Sequence, residues 1–261
     1  MIWNQWRQRW RAYREARAVA RRPIADDLWK RTLIRYPFLR RRDPQLQAEL
    51  KRLTSLFLDR KEFTATGGLR LSNDVVVAIA AQACLPILRL GLARYSGFIG
   101  IVVHPDQVVA RREVSDEDGV VHTYDEVLSG EAMQGGPLML SWRDVRAAGQ
   151  SASSGYNVVI HEFAHVLDMA HGPPDGVPEL PADLSAREWQ AKMQQEFGSF
   201  AAQVAQNQAT LLDPYGAQSP EEFFAVASEV FFVSPEQLAK QHPELYGMLQ
   251  RFYKQDPAGE R

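Results

Sequence analysis

The chain has 261 residues, 45% of them hydrophobic and 24% charged, and its 12 Phe, 6 Trp and 8 Tyr supply enough apolar area to exclude disorder as the main state. A single cysteine, Cys84, excludes an internal disulfide and points to a reducing, cytoplasmic setting. The net charge of −2 hides a division: residues 1–60 carry 16 basic and 6 acidic side chains, whereas the remaining 201 carry 14 and 26.

The first 22 residues hold seven arginines and one acid, Glu15. Trp3, Trp6, Trp10 and Tyr13 recur at steps of three, four and three, which puts them on one face of a helix ended by Pro23. No continuous apolar stretch is present, so the segment is not a secretory signal. Three readings compete for it: an aromatic stripe docked on the protein's own body, a weak contact with an anionic membrane or acidic partner, and a nucleic-acid contact. No motif accompanies the last, and no direct nucleic-acid partner is expected.

Asp43-Pro44 opens the next helix with a capping acid and a proline in the first turn, and Leu46, Leu50, Leu53 and Phe57 line its apolar face. Gly67-Gly68 mark a turn before an apolar stretch, Val75 to Leu92. Interrupted by Gln82, Pro86 and Arg89, that stretch reads as a buried helix and not as a membrane span. From Phe98 the texture becomes β-branched. Phe98–Val103, Gln107–Ala110, Val120–Tyr124 and Leu138–Trp142 are the expected strands. After Ser151 the pattern is helical again, with a Pro/Gly loop over Gly172–Pro181 and helices near 185–207, 219–232 and 235–253. The expected class is α+β, a small sheet flanked by helices.

The chemistry lies in Val158–Met169, which contains His161-Glu162-x-x-His165. Two histidines four residues apart share one helical face, so both imidazoles can reach one Zn²⁺ ion. Glu162 is then placed to take a proton from water instead of binding metal. Apolar Val158, Val159, Phe163, Ala164 and Leu167, a cap region at Ser153 and Ser154, and Gly172 past the far end support the helix.

A catalytic zinc needs a third protein ligand and one open position. His171 is one candidate, but Asp168 stands where a turn-forming glycine would bring it back to the metal. On a continuing helix His171 is offset by about 80° from His161 and out of reach. The other candidates are Glu221 and Glu222, behind Ser219-Pro220 at a helix start. Each has a plain alternative, Glu222 as the capping-box partner of Ser219 and Glu221 as a charge at the positive helix end. Spacing does not separate the two. Asp168, seven residues after His161, could accept the second ring N–H of a liganding histidine or be a helix-surface acid. Glu229, seven residues after Glu222, is left outside the site as either a similar support or an ordinary salt-bridge residue.

Five segments carry a resemblance: "CLPILRLGLARYSGF", "GVVHTYDEVLSGEAMQGGPLMLSW", "VVIHEFAHVLDM", "YGAQSPEEFFAVASEVFF" and "FYKQDP". Spread over about residues 70–257, they resemble the Mlc titration factor A family of bacterial zinc peptidases, whose catalytic core is similar to that of anthrax lethal factor. The resemblance implies a zincin-like fold and a gluzincin site with one zinc per chain. It implies His161, His165 and Glu222 as ligands, Glu162 as general base and Tyr215 as a catalytic hydroxyl. It also implies aminopeptidase-like action on peptides and binding to an Mlc-like transcriptional repressor of sugar uptake; the rival reading is a regulator that sequesters its partner with little or no proteolysis. The expected organisation is a basic arm over 1–22, a helical part over 23–95 and a catalytic part over 96–261. Leu138–Trp142 is the expected edge strand for a peptide to pair with.

Overall fold

The computed structural model describes residues 2–115, 121–148 and 155–259. Helix α1 (Ile2–Arg21) leads into α2 (Asp26–Arg35), the single turn α3 (Pro37–Arg40) and α4 (Pro44–Arg60). Asp43 caps α4 as expected, its Oδ1 accepting from the Gln45 and Leu46 N–H groups. Strand β1 (Glu62–Ala65) and helix α5 (Asn73–Cys84) follow. The helix expected to run to Leu92 stops at Cys84, because Pro86 has no N–H to donate; Leu85 still has helical backbone angles, and the chain continues in turns.

Strands β2 (Gly100–His104), β3 (Val108–Ser115), β4 (Val121–Leu128), β5 (Gly130–Ala132) and β6 (Leu138–Ser141) form two sheets. β3 and β4 make an antiparallel ribbon longer than their sequence pattern suggests; Val120 lies outside the described residues. The other sheet has the order β1-β2-β6-β5, parallel throughout except for β5, which runs antiparallel to β6. The expected edge strand is therefore corrected. β6 is interior, paired on both sides, and Trp142 already begins α6 (Trp142–Ala147). The three-residue β5 is the edge on that side, and β1 is the edge on the other.

Helix α7 (Val158–Asp168) packs beneath β5 and β6. The Ser153/Ser154 cap region falls outside the described residues, and the cap is Asn157: its Oδ1 accepts from Ile160 N–H and its Nδ2 donates to Gln82 Oε1 of α5 at 2.9 Å. Then come α8 (Ala186–Ala205), α9 (Pro220–Val233), α10 (Pro235–Gln241) and α11 (Pro243–Tyr253), with Pro243 splitting the helix expected over 235–253. One cluster of buried apolar side chains runs from Ala18 to Tyr253 and includes Phe57, Tyr95 and Phe163 at van der Waals ring spacing. No helix of the described residues is long and apolar enough to cross a membrane.

The arm departs from one of its readings. α1 meets α4 through buried Ala18, the Glu15–Arg52 pair at 2.9 Å and the Arg21–Asp59 pair at 2.7 Å. Trp6, Trp10 and Tyr13 are 62%, 59% and 59% exposed, so these aromatics do not dock on the body.

Asn157 is buried and joins α5 to the start of α7. Asn157→Ala removes the cap and strands the Gln82 amide oxygen, a loss of about 2 kcal/mol. Calorimetry should read this as a Tm lowered by about 4–8 °C.

Candidate metal and catalytic site

α7 and α9 cross with their functional residues facing each other. Near the start of α9, Ser219 caps the helix through the Glu222 N–H at 3.4 Å, but the Glu222 carboxylate does not close a capping box. It turns instead to α7, where Glu222 Oε2 lies 3.0 Å from His161 Nε2 and 3.5 Å from His165 Nε2. The two Nε2 atoms are themselves 3.2 Å apart. Among the described residues these three side chains form the only group of three or more His, Cys, Asp or Glu whose ligand atoms could hold one metal ion, all within 4.8 Å of one another. Glu221 and His171 are not in it. His171 sits exposed at the end of a 3-10 turn, Met169–His171, that continues α7.

The donor set fits a divalent metal. Glu222 Oε2 is buried, yet its approach to the histidines meets no hydrogen-bond geometry and it has no such partner. A buried anion left this way is costly unless a cation takes up its lone pairs. The tautomer of His161 points the same way. Its Nδ1 faces Glu229 Oε1 at 2.8 Å, which places a proton on Nδ1 and leaves Nε2 as the nitrogen a metal would bind on displacing its proton.

Glu229 is thus the residue that sequence reasoning left out. It is buried, its second oxygen accepts from the Asn157 backbone N–H, and it fixes the His161 ring from behind. The signal was present, since Glu229 lies two helical turns after Glu222 on the same side of α9. Asp168, the other candidate for that role, is committed elsewhere: its Oδ2 accepts from the Gly176 N–H at 2.7 Å and ties the loop after α7 to the helix.

Burial dominates the electrostatics. It works against a charged His161, but the Glu222 and Glu229 carboxylates close to its two ring nitrogens outweigh it and hold the His161 pKa well above the ordinary value. Burial likewise opposes ionised Glu222, and the two histidines overcome it, bringing the pKa to about 2. Glu162 has no such release. Burial raises its pKa, and the neighbouring Glu222 and Glu229 charges add to the rise while the two histidines oppose it.

Glu162 lines a cavity of ≈ 300 Å³ with Leu128, Ser129, Tyr156, Val158, Val226 and the ring of Tyr215. Strand β5 passes directly over it. A Cβ at Gly130 would come within 2.6 Å of Glu162 Cγ and Oε1, so this position must be glycine for the carboxylate to keep its place. Tyr215 belongs to a short 3-10 turn, Pro214–Ala217, capped by Asp213. Its ring centroid stands 6.0 Å from that of His161, and the residue is partly exposed at the cavity.

This geometry agrees with what the chain is similar to. The model of the glucose-regulated metallo-peptidase M90 family matches residues 7–254. The chain belongs to the M90 metallopeptidase family. A Synechocystis protein described as uncharacterized is 35% identical over 98% of this chain and 90% of its own length. Proteins named Mlc titration factor A are 37% identical in Salmonella arizonae, over 90% of this chain and 93% of theirs, and 36% identical in Serratia proteamaculans, over 85% and 84%. The M90 match begins at Arg7, within the basic arm.

Two outcomes follow for this M90 chain. Glu229→Gln keeps the size of the side chain but weakens the acceptor behind His161, and should lower metal affinity about 10–100-fold in a competition titration. Glu221→Ala and His171→Ala should leave affinity unchanged. The second concerns Asp168, whose carboxyl is pushed by burial up to about 6. A raised carboxyl pKa means the folded state holds the proton more tightly, so its contribution is full below about pH 4 and is lost as pH rises toward 6. In metal-free protein, Asp168→Asn should therefore gain about 2 kcal/mol relative to the parent between pH 4 and pH 7, read from denaturant melts at each pH.

Proposed function

We propose that this chain is a single-zinc peptidase of the gluzincin type, with His161, His165 and Glu222 as ligands, Glu162 as general base and Tyr215 as a catalytic hydroxyl. The convergence of the two Nε2 atoms and Glu222 Oε2 carries the reading. Membership of a metallopeptidase family supports it. When bound, zinc supplies Lewis acidity, lowering the pKa of a coordinated water toward about 7 and polarising a carbonyl.

The rest of the reaction belongs to the protein. Glu162, buried beside the ligands and with a raised pKa, accepts the proton of the attacking water and returns it to the departing amine. The phenol of Tyr215 donates a hydrogen bond to the oxygen on which negative charge grows. The substrate is a peptide in extended form, aligned on the open side of β5 through main-chain hydrogen bonds. That assignment takes the place of β6. The bare main chain of Gly130 lets the strand lie against the base without displacing it. β5 therefore sets both where the substrate runs and where the proton acceptor stands.

Aminopeptidase-like action and a cytoplasmic setting are part of this proposal, as is recognition of an Mlc-like repressor, which the name of the Salmonella and Serratia relatives supports. That name also favours a second reading, a regulator that sequesters its partner without cleaving it. Glu162→Gln separates the two. It should retain zinc and lower peptide hydrolysis about 10²–10⁴-fold, while leaving any repressor binding intact. Tyr215→Phe should retain zinc and Tm, with kcat reduced about 10²–10³-fold and KM little changed. Absence of hydrolysis in the zinc-loaded parent across a panel of short chromogenic peptides would favour the regulator.

A further inference from the structure

The aromatic face of α1 takes no part in the site, and its geometry carries a function of its own. At 100° per residue, Trp6, Trp10 and Tyr13 occupy an arc of roughly 60°, and Ala18 and Glu15, which hold the helix to α4, lie on average roughly 140° away from it. Ala18 and Glu15 thus fasten the helix to α4 by one face, Arg21 adds its pair with Asp59 in the last turn from beside the aromatic arc, and the three large aromatics stay exposed. They line a shallow concavity of ≈ 370 Å³ with Arg9. Arg9 and Arg14 flank the arc on its two sides, both exposed, and the Arg17 guanidinium lies 5.9 Å from the Tyr13 ring centre within it.

We propose that this face is a docking surface for an anionic lipid membrane, on which α1 lies flat. Tryptophan and tyrosine partition to the depth of the headgroups, and the alkyl stems of the flanking arginines let their charges reach lipid phosphates from the same plane. The charge is complementary. Residues 1–22 carry seven arginines against one acid, on a protein whose residues 61–261 are strongly acidic and would turn away from an anionic surface. A nucleic-acid partner is disfavoured because no nucleic-acid-binding motif accompanies the arginines and aromatics.

The test uses the full-length protein in flotation with vesicles of phosphatidylcholine, with or without phosphatidylglycerol. Binding should be at least tenfold stronger to the anionic vesicles and should weaken as salt rises. The double variant Trp6→Ala/Trp10→Ala should lose at least tenfold of that binding with Tm unchanged, whereas Ile34→Ala, which removes a 71% exposed apolar side chain on α2, should bind like the parent. Brominated lipid should quench tryptophan emission in the parent and much less in the double variant. Equal binding to neutral vesicles, or undiminished binding by the double variant, would overturn the proposal. So would a concentration-dependent dimer or retention of an RNA oligonucleotide that the double variant loses while neither protein binds vesicles.

Discussion

Three carboxylates, Glu162, Glu222 and Glu229, are brought together in the wedge where α7 crosses α9, and two imidazoles face them. Isolated ionised groups do not survive in such a place, since the cost of removing them from water is several kcal/mol each unless charge and hydrogen bonds compensate. The site is built around that constraint. Glu229 is compensated by the His161 ring and the Asn157 N–H. Glu222 is compensated by two histidines without a hydrogen bond to either, which is the arrangement a cation completes. Glu162 is left with burial as the largest influence on it, and it is the group whose proposed task is to take up and release a proton.

The scaffold serves the same constraint. Asn157 links three parts of it at once: it caps α7, reaches Gln82 on α5, and supplies a donor to Glu229 on α9. Asp168 and Gly176 fasten the loop that leaves α7, and the Gly176 carbonyl accepts from the Trp189 indole of α8. Above, Gly130 brings strand backbone down onto Glu162. The histidine spacing would be of little use without these supports, because ligand atoms must hold their positions to a fraction of an ångström.

The histidines and Glu162 were legible because helical periodicity alone puts His161 and His165 on one face. Glu221 and Glu222 were inseparable by that rule, being neighbours before the same apolar run; only the crossing angle of α7 and α9 turns one inward, and family likeness stood in for that angle. Glu229 was visible as a heptad neighbour of Glu222, but an acid on a helix is commonplace and its partner is 68 residues away in sequence. The edge strand was misjudged for a topological reason. Leu138–Ser141 has the apolar pattern of a strand because it is interior, whereas the edge beside it, Gly130–Ala132, is too short to show any alternation. For the arm the sequence left three readings open. An amphipathic stripe ordinarily marks a packing face, and here small Ala18 and the Glu15–Arg52 pair hold the helix while the aromatics face outward.

The most direct test of the account is anomalous X-ray diffraction from crystals of the zinc-loaded protein, with data on both sides of the zinc edge. One strong peak per chain is expected in the α7–α9 wedge, about 2.0–2.2 Å from His161 Nε2, His165 Nε2 and a Glu222 carboxylate oxygen, with His161 Nδ1 still on Glu229. A peak that lacks Glu222 among its neighbours, includes His171, or lies outside the wedge would contradict it.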